Sequence, residues 1–203
     1  MVDSMKGGRA TYQDILDAPE HVVAELVDGE LFLSPRPATP HAVTTLNLSD
    51  ELISLRRGSG GGPGTWFFLV EPELHFGANV VVPDIAGWRI ERMPPDLTAT
   101  FLSTPPDWIC EALSRSTERV DRLKKLPIYA SAGVGHVWLL DERIRKLEVL
   151  RLGTEIRHYD LVEIYTEGSV VRAEPFTELE LRLANLFKYL PTRASEAYVD
   201  YGR

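Results

Sequence analysis

The fold is decided by two neighbouring segments, VVVPDIAGW at residues 80–88 and PPDWICEALSRST at residues 105–117. Each contains a short apolar run that is typical of a buried strand, and each run carries or adjoins one carboxylate, Asp84 or Glu111. Carboxylates are strongly disfavoured in such strands unless they are paired or bind a cation. The residues alone leave two explanations of Glu111 open, a salt bridge to an arginine and a metal ligand.

The segment that follows, ERVDRLKKLPIYASAGV at residues 118–134, has the periodicity of a helix. We expect Leu123 to lie on its apolar side, and we expect Pro127 to kink the helix or loosen its first half. The same segment carries Asp121 and Lys125. Two carboxylates at buried strands, followed by a lysine-bearing helix, predict a divalent-metal site with a cation beside it.

Length and composition predict one globular domain. The chain has 203 residues, of which 44% are hydrophobic and 26% charged, and this is enough for one continuous core. We expect residues 1–10 to be disordered, residues 11–190 to form the single domain and residues 191–203 to form a polar tail. The mixture of strands and helices predicts an α+β fold (α/β-like), with a mixed β-sheet flanked by helices.

Several features of the sequence predict a cytoplasmic protein. No apolar run approaches the roughly 20 residues of a membrane helix, and the N-terminal residues lack the apolar core of a signal peptide. The single cysteine, Cys110, excludes an intrachain disulfide and fits a reducing compartment. Cys110 lies in the apolar run WICEAL, so we interpret it as a buried small hydrophobic residue and not as a nucleophile.

The charge of the chain argues against coating of nucleic acid by charge alone. The net charge is −8 and the isoelectric point is about 5.2, the opposite of the usual balance for such a protein. A nuclease with an acidic, cation-binding site and a locally basic surface stays compatible with this charge. The basic stretches that could form such a surface are Arg56–Arg57, 115–125 and 143–151, and each is otherwise a solvated face.

A hairpin and a helix precede the two central segments. The stretch VVAELVDGELFLSP at residues 22–35 surrounds Asp28-Gly29, which predicts a β-hairpin because glycine tolerates the positive φ of a primed turn. Glu25 lies in the first strand, where the pattern alone favours an exposed position. Apolar residues at helical spacing then predict a helix over His41–Arg57, followed by the mobile connector Gly58–Gly64.

A series of short motifs runs in order along residues 10–188. They are AELVDGEL, Pro-x-Pro-x-x-Pro-His, VVPDIAGW, PPDWICEALSRST, Lys125-x-x-x-Tyr129, AGVGHVWLLD and a closing segment from Phe176 to Phe187. The order and spacing of these motifs resemble the Uma2 family of bacterial restriction-endonuclease-like proteins. The resemblance implies a restriction-endonuclease-like fold of the PD-(D/E)XK nuclease superfamily.

The resemblance also implies a set of site residues. Asp84 matches the aspartate of the PD motif and Glu111 matches the acidic residue of the neighbouring strand, and in that superfamily these two ligate Mg²⁺. Leu113 stands where the superfamily has its usual lysine, and the Uma2 pattern instead has a lysine on the following helix, here Lys125. That lysine would stabilise developing negative charge or orient water.

Two further positions match the family pattern. Glu25 matches an additional acidic position of the hairpin and would hold a second metal ion or a metal-bound water. His41 matches the histidine at the head of the long helix, where it would act as a base or a phosphate contact; a simple structural contact is the alternative. Asp121 is a looser match.

The function implied by the resemblance is an endonuclease that hydrolyses DNA phosphodiester bonds with Mg²⁺ or Mn²⁺. A homodimer is expected, because two-fold symmetry suits cleavage of both strands. Two alternatives stay open. One is a catalytically silent binding or scaffold module, in which arginines neutralise Asp84 and Glu111, and the other is an RNA-directed or repair nuclease that uses the same site.

Overall fold

The structure is a computed structural model that describes residues 9–57, 64–154 and 158–191. Three expectations fall almost entirely outside these residues: disorder over residues 1–10, the mobile connector at 58–64 and the polar tail at 191–203. The N–H of Ala10 donates to the carbonyl of Gly29 at 2.8 Å, so the described chain is attached to the hairpin from its beginning. In these described ranges, no helix combines the length and apolar character needed to cross a membrane.

The elements alternate along the chain and form a mixed sheet with helices on it. Among the described residues the helices are α1 (Tyr12–Leu16), α2 (Thr39–Arg57), α3 (Glu118–Val120), α4 (Leu126–Ala132) and α5 (Leu183–Leu186), with a π-helical turn (Asp121–Lys125) joining α3 to α4 and a 3₁₀ turn at Ile90–Arg92. The strands are β1 (Val22–Val27), β2 (Glu30–Pro35), β3 (Trp66–Val70), β4 (Leu74–Phe76), β5 (Asn79–Val81), β6 (Ile85–Arg89), β7 (Trp108–Ala112), β8 (His136–Asp141), β9 (Lys146–Leu152), β10 (Tyr159–Thr166), β11 (Val170–Val171) and β12 (Leu181–Arg182).

The main sheet has six strands in the order β10-β9-β8-β7-β6-β3. Strands β7 and β8 are parallel, and the other neighbours in this sheet are antiparallel. A smaller antiparallel sheet has the order β2-β1-β5-β4, and β11 pairs with β12. The α+β class with a mixed sheet flanked by helices is therefore confirmed.

The alternation of side chains along β7 separates two hydrophobic layers. Trp108 and Cys110 face the layer that contains Leu48 and Leu52 of α2, whereas Ile109 faces the layer that contains Tyr129 of α4. Because successive side chains of a strand point to opposite faces, Glu111 shares the face of Ile109. The sheet thus directs Glu111 towards the helical segment that carries Lys125. Cys110 is 1% exposed, which confirms its assignment as a buried small residue.

The hairpin predicted at Asp28-Gly29 is confirmed. Both residues have positive φ, 54° and 81°, as a primed two-residue turn requires. Strand β1 pairs with β2 on one side and with β5 on the other, through Leu26 and Val80. This second pairing brings β1 next to the chain that leads to Asp84, so the small sheet positions Glu25 for the site.

The helical segment after β7 turns different residues towards the sheet from those that its sequence predicted. The turn from Asp121 to Lys125 is π-helical and stands directly before Pro127, which has no N–H to continue the α-helical ladder. Leu123 is 62% exposed, so its predicted place on the apolar side is wrong. The wider turn instead buries Asp121 and Lys125, both polar, on the side that faces the sheet. Gly133 ends the helix with φ of 82°, as expected from its position.

Candidate active site

One cavity collects all five of the predicted site residues. It has a volume of about 190 Å³, and its walls come from β1, the connector between β2 and α2, the chain before β6, the end of β7 and the helical segment after it. The predicted residues among its lining are Glu25, His41, Asp84, Glu111 and Lys125. Residues separated by as many as 100 positions in sequence thus meet at one end of the main sheet.

Asp84 is held in place by both of its oxygens. It follows Pro83 directly before β6, where Oδ2 accepts a hydrogen bond of 2.7 Å from the backbone N–H of Ala112 at the end of β7. Its Oδ1 lies 2.5 Å from Nε2 of His41 in the first turn of α2. Burial acts to lower the pKa of His41, but the hydrogen bond and charge of Asp84 outweigh it and the pKa is raised. His41 is therefore favoured as an imidazolium that donates to Asp84.

Lys125 lies at the centre of a carboxylate cluster. Its Nζ is 2.8 Å from Oε1 of Glu111, 3.0 Å from Oε1 of Glu25 and 3.5 Å from Oδ1 of Asp121. All four side chains are at least nine-tenths buried, and Lys125 is 2% exposed. The backbone N–H of Val82 also donates to Oε1 of Glu25 at 2.8 Å. Three acidic groups therefore surround one ammonium, and we call these four residues the lysine cluster.

Tyr129 completes the environment of Glu111. Its hydroxyl donates to Oε1 of Glu111 at 2.5 Å, and the ring is fully buried. Burial raises the pKa of Tyr129 well above its usual value, so it stays a donor. The sequence showed Tyr129 only as part of a motif. Asp121, Lys125 and Tyr129 follow one another at intervals of four residues. This spacing is the signal that the three side chains share one face of a helix.

The ionisation of the lysine cluster reflects its excess of acid. Burial acts to lower the pKa of Lys125, but Glu111 and Glu25 outweigh it, so the pKa is well above normal and the ammonium stays charged. Burial raises the pKa of Glu111 well above its usual range in spite of Lys125. Burial raises the pKa of Asp121 from 3.8 to about 6, with Lys125 opposing it. The cluster thus carries more carboxylates than its one lysine neutralises.

Two sequence interpretations are corrected by this geometry. Glu25 was expected on an exposed face of its strand, but it is only 6% exposed because its carboxylate meets Lys125 of the helical segment and the backbone N–H of Val82. Glu111 has a lysine and not an arginine as its ionic partner. A silent module was expected to pair Asp84 and Glu111 with arginines. Among the described residues, neither carboxylate has an arginine partner.

Glu142 lines the same cavity and was not predicted. It follows β8, where its neighbour Asp141 is bound by Arg143 in a bidentate pair. Glu142 has no such partner: its Oε2 is buried and receives no hydrogen bond from the described residues. Burial raises the pKa of Glu142, and His41 is the first positive group that opposes this. A second acidic residue after a strand end gave no sequence signal that distinguished it from Asp141.

The donor chemistry of the cavity fits a divalent cation. Among the described residues, no three acidic, histidine or cysteine side chains already stand in a metal-binding arrangement. The ammonium of Lys125 lies between Glu25 and Glu111, where it takes one oxygen of each. The fit rests on the excess of hard carboxylate oxygens over basic groups and on the buried oxygen of Glu142 that lacks a donor. An added cation would stabilise both the excess carboxylates and this buried oxygen of Glu142.

Comparisons with known proteins identify the family and the fold of the chain. Residues 9–185 match the model of the family Uma2, described as "Putative restriction endonuclease". A crystal structure described as a putative nuclease belonging to DUF820, from Anabaena variabilis, is 22% identical to this chain, with a TM-score of 0.69. The similarity covers 87% of this chain and 97% of the other, and it shows that the two share a fold. No curated protein matches the chain.

Proposed function

This chain belongs to the Uma2 family, and we propose that it is a divalent-metal-dependent endonuclease that hydrolyses DNA phosphodiester bonds. The observation that carries the proposal is the convergence of Glu25, His41, Asp84, Glu111 and Lys125 on one cavity. These residues come from five separate parts of the fold. A hydrophobic core alone gives no reason to bury three acids around one lysine, because buried charges without full compensation reduce stability.

Asp84 and Glu111 are the proposed ligands of Mg²⁺ or Mn²⁺, with Glu25 as a third carboxylate. The Oε1 atoms of Glu25 and Glu111 already face Lys125, so their remaining oxygens are the ones available to a cation. When bound, the cation supplies charge stabilisation to the phosphate and lowers the pKa of a bound water. Fixed carboxylates with one ordered oxygen each suit such a role, because their orientation needs little further ordering.

Lys125 and His41 are the proposed basic groups of the reaction. Lys125 lines the cavity as a permanent ammonium, and it would stabilise negative charge that develops on the phosphate or orient the attacking water. The contacts to Glu25 and Glu111 hold its position. His41, bound to Asp84, is placed to contact a phosphate oxygen or to exchange a proton with the leaving oxygen.

We further propose a homodimer located in the cytoplasm. A dimer with two-fold symmetry presents two equivalent sites to the two antiparallel strands of a duplex. The buried thiol of Cys110 fits a reducing compartment. We retain one domain over residues 11–190 as part of the proposal. Sedimentation equilibrium of the full chain tests the dimer, and a monomeric mass with and without DNA would exclude it.

Cleavage of supercoiled and linear DNA in Mg²⁺ or Mn²⁺ tests the activity. Wild type is compared with Asp84→Ala, Glu111→Ala and, as a matched control, Glu178→Ala at an exposed glutamate. We expect metal-dependent cutting that the first two substitutions reduce at least about 10³-fold, as removal of an essential electrostatic group does. Circular dichroism checks folding of each variant. No cutting together with no calorimetric metal binding would establish the silent module, and cutting of RNA alone would establish an RNA-directed nuclease.

A further inference from the structure

The structure separates the basic residues of this acidic protein into paired and unpaired groups. In the basic stretch 143–151, each arginine or lysine has an acidic partner. The ion pairs are Arg143 with Asp141 and Glu118, Arg145 with Glu167, Lys146 with Glu148, and Arg151 with Glu174. This stretch is therefore neutralised within the chain, and it is a poor candidate for a surface that binds a polyanion.

A different group of arginines has no ionic partner. Arg36, Arg115 and Arg119 are exposed, and none of them is within ion-pair distance of an acidic group in the described ranges. By contrast, Arg122, three residues beyond Arg119, is paired with both Glu118 and Glu148. The one hydrogen bond recorded for Arg36 goes to the backbone carbonyl of Glu20 at 3.0 Å, which leaves its charge uncompensated.

These arginines lie on, or next in sequence to, segments that line the catalytic cavity. Arg36 is part of its wall, in the connector between β2 and α2. Arg115 lies between Ser114 and Ser116, which also line the cavity, in the connector after β7. Arg119 follows one turn later in α3. Arg36 itself lines the cavity, and Arg115 and Arg119 lie within two residues of positions that line it, in the segment after β7.

We infer that Arg36, Arg115 and Arg119 bind the phosphates of a DNA duplex on either side of the bond that is cut. The inference rests on the proposed function, because it places the duplex over the same cavity. Guanidinium groups bind phosphate oxygens through two parallel hydrogen bonds, and arginines without an ionic partner break no ion pair when they do so. The hydroxyls of Ser114 and Ser116 add the neutral donors that commonly accompany such contacts.

The distribution of charge explains why these three arginines matter in a chain of net charge −8. The carboxylates inside the cavity repel a phosphate backbone, and the overall charge does the same at long range. Binding therefore depends on a few local cations at the rim and on the metal ion inside. Each phosphate contact releases counterions, so removal of one contact lowers the salt dependence of binding by about 0.9 in log K against log salt.

Fluorescence anisotropy with a labelled duplex tests the inference. Binding is measured against salt concentration in Ca²⁺, which prefers the same oxygen ligands as Mg²⁺, and a gel verifies that the duplex is intact. The test protein carries Arg36→Gln, Arg115→Gln and Arg119→Gln together. The control protein carries Arg151→Gln, Arg172→Gln and Arg182→Gln, which are 54%, 58% and 63% exposed in their side chains but are paired with glutamates. Both triple variants change the net charge equally.

We expect the slope of log K against log salt to become shallower by about two to three in the test protein. We also expect this protein to bind the duplex at least about tenfold more weakly than wild type, with little change in the control. An equal loss in both proteins, unchanged binding of the test protein or no binding by wild type would each overturn the inference. Tighter binding of an RNA duplex than of DNA would overturn the choice of DNA. The expected loss of binding in the test protein alone, with no cleavage by wild type, would instead reject the proposed hydrolysis and leave the phosphate contacts standing.

Discussion

Two ion pairs with identical spacing on one helical segment have opposite environments. Glu118–Arg122 and Asp121–Lys125 are both acid–base pairs four residues apart. Glu118–Arg122 belongs to a half-exposed network in which Glu118, Asp141 and Glu148 meet Arg122, Arg143 and Lys146, three acids for three bases. Asp121–Lys125 is buried in the lysine cluster, with three acids for one base. We call the first group the balanced network.

Two acids of the balanced network and two acids of the lysine cluster have pKa values that are shifted in opposite directions. In the balanced network, the hydrogen bond from Arg143 lowers the pKa of Glu118, and the hydrogen bond from Arg122 lowers that of Glu148. In the lysine cluster, burial raises the pKa of Glu111 and of Asp121. The balanced network therefore stabilises the fold as it stands, whereas the lysine cluster is under-neutralised and gains from an added cation. This difference separates a structural group of charges from a functional one.

The largest expected effect comes from removal of the single base of the lysine cluster. Lys125→Met leaves three buried carboxylates without their ammonium, and we expect a loss of about 3–5 kcal/mol in the free energy of unfolding at neutral pH. Arg122→Met removes one of three bases from the half-exposed balanced network and should cost less, about 1–3 kcal/mol. Urea denaturation of both variants measures the difference. A larger loss for Arg122→Met would contradict the comparison.

The second effect is a dependence of stability on pH with opposite sign in the two groups. The pKa of Asp121 is raised to about 6, so its stabilising contribution is complete below pH 3.8 and is lost as pH rises through about 6. The shift corresponds to a contribution on the order of 2–3 kcal/mol. Glu148 has a lowered pKa, so its contribution is present above pH 4.5 and is lost on acidification.

Thermal unfolding in chelator across pH 4–7 measures this dependence. We expect Asp121→Asn to make the decline between pH 5 and 6 shallower, with the raised pKa of Glu111 sustaining the rest, and Glu148→Gln to leave that decline unchanged. Saturating Mg²⁺ should reduce the decline in wild type, because a cation replaces the missing positive charge. A decline of unchanged slope between pH 5 and 6 in Asp121→Asn would show that the raised pKa of Asp121 does not contribute to it.

The third effect is a difference in stability between two variants, each of which replaces one acid of a group by the neutral glutamine. Glu111→Gln keeps an oxygen for Lys125 and Tyr129 while it removes excess charge, so in chelator at pH 7.5 the stability should equal or exceed that of wild type. Glu148→Gln weakens two charged hydrogen bonds from Arg122 and should cost about 1–2 kcal/mol. Denaturant midpoints test this contrast. Clear destabilisation by Glu111→Gln, with Glu148→Gln neutral, would reverse the assignment of the two groups.

The smallest expected effect concerns the hydroxyl of Tyr129. Tyr129→Phe keeps the packed ring and removes one donor from Glu111, so we expect a loss of about 1 kcal/mol in stability. Tyr159→Phe removes a hydroxyl that donates to the backbone carbonyl of Val134, and it serves as a control outside the cluster with a partly buried ring. Metal affinity by calorimetry should change in the first variant only. An equal change in both would mean that Tyr129 has no specific action on Glu111.

The sequence predicted the elements that local chemistry determines. The hairpin at Asp28-Gly29 needed only the turn residues, and the strand around Glu111 needed only a short apolar run. The family resemblance then supplied the five residues that the cavity brings together. The pattern of charge in apolar surroundings singled out Asp84 and Glu111, with Lys125 on the helix after them, whereas Glu25 and His41 rested on the resemblance alone.

What the sequence did not show depends on helical phase and on contacts between distant elements. Leu123 was assigned to the apolar side because an α-helical period was assumed, and the π-helical turn before Pro127 changes that phase. Glu25 was interpreted as exposed because nothing local shows that the helical segment with Lys125 packs against it. Glu142 gave no signal, because only the tertiary structure shows that Arg143 binds Asp141 while Oε2 of Glu142 receives no hydrogen bond from the described residues.

The most direct test of the central claim is anomalous diffraction from crystals of the wild-type protein soaked in Mn²⁺ at pH 7.5. The claim is that the excess of acid in the cavity is a site for a divalent cation. We predict an anomalous peak in the cavity, against the carboxylates of Asp84 and Glu111, and no peak in the balanced network around Glu148. A cavity without a peak at saturating Mn²⁺, with Lys125 still bound to Glu25 and Glu111, would contradict the account.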